Sequence, residues 1–192
     1  MLLYHRLLNT SFNERSLMHT SPAPKIVGPR DGKAGSLGSI GVRFMIDTDE
    51  TYNGGFSLVE HPMGPRKLAA PLHRHSREDE YSYVLEGRMG ALLGDDVVYA
   101  EPGDLVHKPR NQWHTFWNAG DEPCRILEII APGGFEHMFR EMGELTSEPT
   151  PENLADFSER YGIQFDPEGT ARVAERFGLI QNYVPEDAVT AA

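Results

Sequence analysis

Two histidines and a nearby glutamate are the residues of this sequence best suited to chemistry. His73 and His75 are separated by one residue, and Glu80 follows five positions later. Because alternate residues of a β-strand point to the same face, the pair presents two imidazoles side by side. Neutral imidazoles and carboxylates are ligands that divalent first-row metal ions accept. The spacing therefore predicts a metal site that includes His73 and His75.

Three neighbouring carboxylates compete for the role of acidic ligand. Glu78 and Asp79 fall in a polar segment that is expected to form a turn, where a solvated charge costs little. Glu80 opens an apolar strand and shares one face of it with Ser82 and Val84. A carboxylate that points into a core is costly unless it is paired or bound to a metal ion. We therefore favour Glu80 as the ligand.

Short strands must position these residues. Runs with β-branched or aromatic residues alternate with turn sequences, and they predict seven strands, at 42–46, 56–60, 81–85, 89–93, 97–100, 114–118 and 125–130. The gaps between them are of hairpin length, which leaves no room for helical crossovers. A mainly β fold, either a sandwich or a barrel, is expected.

The pattern changes to helical spacing after the last of these strands. Apolar residues recur on one helical face over 135–142. Thr150 with Pro151, and Asp166 with Pro167, are N-cap and first-turn pairs that predict two further helices. We expect these short α-helices to cover the outside or the open end of the barrel. The expected organisation is an arm at 1–40, a barrel at 41–132, a helical extension at 133–184 and a tail at 185–192.

Two segments of the chain resemble the two sequence motifs of the cupin family. The first motif is His-x-His, three or four residues, Glu, six residues and Gly, and it is matched at His73, His75, Glu80 and Gly87. The second is Gly, five residues, Pro-x-Gly, two residues, His, three residues and Asn, and it is matched at Gly103, Pro109, His114 and Asn118. The resemblance implies a double-stranded β-helix, or jelly-roll barrel. It also implies that His114 joins His73, His75 and Glu80 as a metal ligand.

Two positions depart from the family pattern. Lys67 stands six residues before His73, where the family has a glycine, and Asn111 stands two residues after Pro109, where another glycine is expected. The turn at 111 requires a positive φ, and asparagine is the non-glycine residue best able to adopt it. Neither departure removes a ligand.

Three imidazoles and one carboxylate leave up to two coordination positions on a metal ion for water, dioxygen or substrate. These ligands suit iron, manganese, nickel, cobalt and zinc alike, so one divalent first-row ion is predicted without its identity. Residues 132–139 resemble the start of the helical tail in quercetinase-like cupins of one domain. That resemblance implies an oxidoreductase, a dioxygenase acting on a small phenolic or enolisable substrate, with Glu80 as both ligand and catalytic base. A non-redox isomerase or lyase, and a non-catalytic protein that binds a small molecule or a metal, remain alternatives.

Composition limits the partners. The net charge of −11 comes without a basic stripe, which argues against nucleic acid. No apolar stretch approaches the roughly 20 residues of a spanning helix, and none resembles a signal-peptide core, so we expect a cytoplasmic protein without membrane contact. Cys124, the only cysteine, is interpreted as a buried apolar residue. The predicted partners are a small-molecule substrate, whose binding residues the sequence does not identify, and a second copy of the chain, because exposed strand edges need covering.

Overall fold

Strands account for most of the regular structure in this chain. The computed structural model describes residues 25–145 and 147–181. Within these ranges the strands are β1 (Lys33–Leu37), β2 (Ile40–Ile46), β3 (Ser57–Met63), β4 (His73–His75), β5 (Asp79–Glu86), β6 (Met89–Leu93), β7 (Asp96–Ala100), β8 (Leu105–Lys108), β9 (His114–Asn118), β10 (Cys124–Ala131) and β11 (Ile163–Phe165). Each of the seven predicted strands corresponds to one of these.

The strands form two antiparallel sheets. The first sheet has the order β1-β2-β3-β10-β5-β8, and the second has the order β11-β4-β9-β6-β7. Strands that are far apart in sequence, such as β3 and β10 or β4 and β9, are neighbours in space. This wound arrangement confirms the prediction of a mainly β jelly-roll barrel with short helices near its C-terminal end.

The two sheets face each other across an apolar core. Val84 and Ile126 point inward from the first sheet, and Met89 and Phe116 meet them from the second. Cys124 is buried in the same cluster, as predicted. Burying a valine, isoleucine, methionine or phenylalanine side chain stabilises the folded state by about 1.5–3 kcal/mol. The core therefore holds the sheets face to face and fixes which residues lie inside.

A turn next to the second motif depends on positive φ. Asn111 has φ 64°, which confirms the prediction that asparagine replaces the family glycine there. Its backbone N–H donates to the carbonyl of His75 at 2.6 Å. The turn therefore joins the loop before β9 to the end of β4, and it brings two predicted ligand strands together.

Three helices follow the barrel: α1 (Glu136–Gly143), α2 (Pro151–Tyr161) and α3 (Pro167–Phe177). Thr150 caps α2 by accepting from the backbone N–H of Asn153, and Asp166 caps α3 by accepting from that of Gly169. Both predicted N-caps are thus confirmed. In the described residues, none of the helices has the length and apolar character needed to cross a membrane.

Four of the observed strands lie outside the seven predicted runs: β4, where a strand was assumed only for the pair His73 and His75, β8, β1 and β11. Lys33–Leu37 lies in the segment expected to be an arm, and it pairs with β2 at the edge of the first sheet. Ile163–Phe165 lies in the expected helical extension, and it pairs with β4 at the edge of the second sheet. β1 is largely exposed and β11 has only three residues, so neither shows a strand period. Residues 1–24 and the predicted tail at 185–192 lie outside the described residues, and the proposed domain boundaries stay predictions.

Both sheets end in strands with an unpaired side within the described ranges. These are β1 and β8 in the first sheet and β11 and β7 in the second. Leu105 on β8 and Tyr99 on β7 are exposed large side chains. Natural proteins normally cover or interrupt such edges. Assembly as a homodimer stays a prediction.

Candidate metal centre

Three histidines of the second sheet point into the barrel. His73 on β4 lies directly opposite His114 on β9, and their ring centroids are 4.3 Å apart. His75 follows two residues after His73 and therefore shares its inward face, with ring centroids 4.8 Å apart. All three side chains are buried.

Glu80 comes to the same place from the first sheet. With Ser82 and Val84 it forms the buried face of β5, as the alternation predicts. Its Oε1 lies 3.2 Å from Nε2 of His75, and its Oε2 lies 3.2 Å from Nε2 of His114. One ligand atom from each of the four residues falls within 4.8 Å of the others. The structure thus brings together the four residues that the sequence predicted as ligands.

The two competing carboxylates, Glu78 and Asp79, are not among the clustered ligand residues. Asp79 pairs with Arg110 at 2.7 Å, and the hydrogen bonds from Arg110 lower the pKa of Asp79 to about 2. Glu78 has its Oε2 3.7 Å from Nδ1 of His75, the nitrogen that faces away from Glu80. The expectation that Glu78 is a solvated turn residue is wrong, because its side chain is buried behind His75.

Backbone carbonyls orient two of the imidazoles. Nδ1 of His73 lies 2.7 Å from the carbonyl of Pro71, and Nδ1 of His114 lies 3.0 Å from that of Gln112. Because a carbonyl can only accept, each Nδ1 carries a proton, which leaves Nε2 as the nitrogen of each ring available to a metal ion. Burial and the neighbouring imidazoles hold the pKa of His73 well below its ordinary value, and burial lowers the pKa of His114. Both rings are therefore in the neutral form that a metal ion binds.

The described residues leave polar atoms at this site without hydrogen bonds. Both ring nitrogens of His75 are buried, and neither has a hydrogen-bond partner in the described part of the chain. An unsatisfied buried polar group costs about 1–3 kcal/mol. A divalent ion bound by Nε2 of His75 would satisfy that atom and the carboxylate of Glu80 together. The donor set and its burial therefore fit a metal ion.

A second buried network, which the sequence did not reveal, touches the candidate ligands. Lys108 lies opposite Glu80 on β8, with Nζ 3.0 Å from Oε2 of Glu80 and 2.9 Å from Oε1 of Glu128. Glu128, on β10, accepts a hydrogen bond from Oγ of Ser82 at 2.8 Å. One ammonium group thus bridges two interior carboxylates.

The electrostatics of this network keep Glu80 ionised. Burial would raise the pKa of Glu80, but Lys108 and the imidazole of His75 outweigh it and hold that pKa well below its ordinary value. Burial would lower the pKa of Lys108, but Glu128 and Glu80 together raise it. Burial also raises the pKa of Glu128, although Lys108 opposes this. The ligand carboxylate is therefore the firmly charged member of the acidic pair.

An apolar cavity adjoins the candidate ligands. Its polar wall contains His73, Glu80, Glu128 and His61. Much of the remaining lining is apolar, from Ile40, Leu68, Phe116, Phe135, Met138, Phe139, Ile163 and Phe165. Phe135, just before α1, packs edge-on against His75 with ring centroids 4.3 Å apart. The helical segment thus covers the barrel beside the ligands, one of the two positions expected for it. An antiparallel double-stranded β-helix with a buried cluster of three histidines and a glutamate defines the class: a β-barrel protein with an interior site suited to one metal ion.

Comparison with known proteins agrees with this class. A protein-family model described as "Cupin domain" matches residues 61–130, a segment that contains all four clustered residues. KdgF from Halomonas sp. has a similar fold, with a TM-score of 0.52 and 16% identity over 60% of this chain and 99% of that structure. Residues 61–130 of the chain are therefore a cupin domain.

Two curated relatives are similar over part of their length. Quercetin 2,3-dioxygenase of Bacillus subtilis (strain 168) is 28% identical over 102 residues, which cover 52% of this chain and 29% of that protein. The tetracenomycin polyketide synthase protein TcmJ of Streptomyces glaucescens is 29% identical over 83 residues, which cover 43% of this chain and 54% of that protein. The chain therefore spans only 29% and 54% of the length of these relatives.

Proposed function

We propose that the chain is a metal-dependent dioxygenase of the quercetinase-like kind, acting on a small phenolic or enolisable compound. The observation that carries this proposal is the buried cluster of His73, His75, Glu80 and His114 beside an apolar cavity. Similarity to a quercetin 2,3-dioxygenase supports the reaction class. The cofactor in this proposal is one divalent first-row ion held by the four residues.

A divalent ion held by these residues would supply Lewis acidity, and a redox-active ion would also mediate electron transfer from the substrate to dioxygen. The chain's own contribution begins with the cavity. Aromatic and aliphatic side chains such as Phe116, Phe135 and Met138 exclude water and hold an apolar ring. The polar wall orients that ring, with its hydroxyl directed toward Glu80 and His73.

Glu80 is proposed to act as the general base. Its carboxylate is ionised and lies on the cavity wall, so it can accept the proton of an acidic substrate hydroxyl. Lys108, at 3.0 Å, compensates the charge of Glu80 and holds its Oε2 in place. Loss of the proton leaves an electron-rich substrate anion in a dry cavity, which is the form that reacts with oxygen.

Oxygen uptake tests this function. Protein loaded anaerobically with iron, nickel or manganese is mixed with a panel of phenolic and enolisable compounds, and oxygen consumption is measured beside metal content. We expect uptake in proportion to substrate loss with at least one of these ions, and none with zinc. Turnover without oxygen consumption would instead identify an isomerase or lyase. Tight binding without any turnover would identify a non-catalytic binding protein.

A further inference from the structure

The charges around the cavity limit which ligands it can accept. Among the described residues that line it there is no lysine or arginine. His61 is neutral near pH 7, because burial lowers its pKa to about 4. The wall contains two carboxyl groups: Glu80, which is ionised, and Glu128, whose pKa burial raises to about 7, so that it is mostly ionised at pH 8. A ligand that carries a carboxylate or phosphate therefore finds no side-chain cation in the wall.

Lys108 does not change this conclusion. It lies behind the wall, where its ammonium is shared between Glu80 at 3.0 Å and Glu128 at 2.9 Å and sits 4.3 Å from the ring centroid of Phe116. Its side chain is buried and does not line the cavity. The two carboxylates already compensate its charge, so a ligand anion gains little from it.

The net charge of the site limits the negative charge that a bound ligand can carry. At pH 8, where Glu80, Lys108 and most of Glu128 are ionised, a divalent ion leaves the site with one net positive charge. One ionised hydroxyl of a ligand neutralises that charge. A second negative group on the same ligand would be buried without compensation beside Glu128, and uncompensated buried charges are costly.

We propose that Glu128 makes the cavity selective for apolar ring compounds whose only negative charge in the bound state is one ionised hydroxyl directed at the metal site, and that it excludes ligands bearing an additional carboxylate or phosphate. This inference rests on the proposed function, and it names the substrate class of that function: uncharged phenols and enols, in contrast to acidic sugars and sugar phosphates. Glu128 acts as a specificity-determining residue. Ser82 and Lys108 hold it at the wall.

Binding to the zinc-loaded protein tests the inference without turnover, because zinc has no redox chemistry. The probes are catechol, 4-methylcatechol and 3,4-dihydroxybenzoate, compared by calorimetry at pH 8. The methyl group fills roughly the space of the carboxylate without its charge, so it separates steric exclusion from electrostatic exclusion. We expect the two neutral probes to bind within about threefold of each other. The benzoate should bind at least about tenfold more weakly, since juxtaposed like charges are strongly unfavourable.

Glu128→Gln assigns the effect to one residue. It keeps the shape and an acceptor oxygen for Ser82 but removes the charge, so it should bring the benzoate to within about threefold of 4-methylcatechol. Glu60→Gln is the matched control, because Glu60 is a buried carboxylate of the same sheet that pairs with Arg43 and Arg125 and does not line the cavity. That control should keep the wild-type ratio. Circular dichroism checks that both variants fold.

Several results would overturn the inference. Equal binding of the benzoate and 4-methylcatechol by the wild type would reject the charge selection, and this comparison needs no variant. An unchanged ratio in folded Glu128→Gln would remove Glu128 from the explanation. Failure of both neutral probes to bind would reject the ligand class. Failure of the proposed oxygenase function is seen separately, as neutral probes that bind the zinc protein while no oxygen is consumed with iron, nickel or manganese.

Discussion

The two sheets contribute different chemistry to one interior site. The second sheet supplies three imidazoles, of which His73 and His114 are oriented by backbone carbonyls. The first sheet supplies Glu80, Lys108 and Glu128, which are oriented by one another and by Ser82. Neutral donors fixed by the backbone are suited to hold an ion permanently. Mutually compensating charges are suited to move a proton and to select a ligand by its charge.

Replacement of a histidine should have the largest effect. His73→Ala, His75→Ala or His114→Ala each removes one ligand from an interior site, and we expect more than about 100-fold loss of metal affinity, since even the partners of ligands contribute 10- to 100-fold. The barrel should remain folded, because its apolar core lies elsewhere. Metal content after dialysis and circular dichroism measure the two effects. Three variants with full metal content would disprove the ligand assignment.

Replacement of Lys108 should affect stability on a comparable scale. Lys108→Met leaves Glu80 and Glu128 buried without their shared cation, and breaking a buried ion pair costs about 3–5 kcal/mol. Urea unfolding of the metal-free protein measures this loss. The double variant Lys108→Met, Glu128→Gln removes one of the two stranded charges and should recover part of it. Equal stability of the wild type and Lys108→Met would show that the network is not the organising feature of the first sheet.

Replacement of Glu80 should distinguish most directly between the metal-holding role of the second sheet and the proton-transfer role proposed for the first. Glu80→Gln keeps the side-chain shape and one ligand oxygen but loses the base. We expect most of the metal to remain on the three histidines, while turnover falls by about 100-fold, within the range of general-base catalysis. Metal content and rate are measured on the same preparation across pH. Near-wild-type turnover with metal retained would leave Glu80 a structural ligand only.

The smallest expected effect concerns pH and His61. Burial lowers the pKa of His61 to about 4, so below pH 6.5 the unfolded chain binds a proton there that the folded protein does not. Stability is therefore lost as pH falls from 6.5 toward 4, by about 1.4 kcal/mol at pH 5.5 for this one residue. His61→Gln should reduce the fall in unfolding free energy between pH 7.5 and 5.5 by about that amount. Urea titrations of metal-free protein measure it, and parallel curves for the wild type and the variant would contradict it.

The three histidines that the second sheet contributes to the site could be predicted from local sequence. His73 and His75 share a face because residues two apart in a strand must do so, and the motif around His114 places the third ring. Asn111 replaces the glycine of the motif, and its φ of 64° was predicted because asparagine adopts positive φ more easily than other non-glycine residues. The predicted strands and helix caps were found for the same reason, since each depends on neighbouring residues.

The first sheet's network depends on pairings between distant parts of the chain. Lys108 meets Glu128 only because β8 and β10 both pair with β5, which no local pattern states. A signal was nevertheless present, because Glu128 shares an alternating face with Ile126 and Ile130, which is an unusual position for a charge. The edge strands β1 and β11 were missed because one is mostly exposed and the other is very short.

The cross-sheet origin of the four ligands has a mechanical consequence. His73, His75 and His114 belong to one sheet and Glu80 to the other, so an ion bound to all four would be a removable crosslink between the two halves of the barrel. Because such an ion binds the folded chain and not the scattered ligands of the unfolded one, resistance to unfolding would rise with free metal concentration. A chelator would remove this crosslink and lower the free energy of unfolding to that of the metal-free barrel.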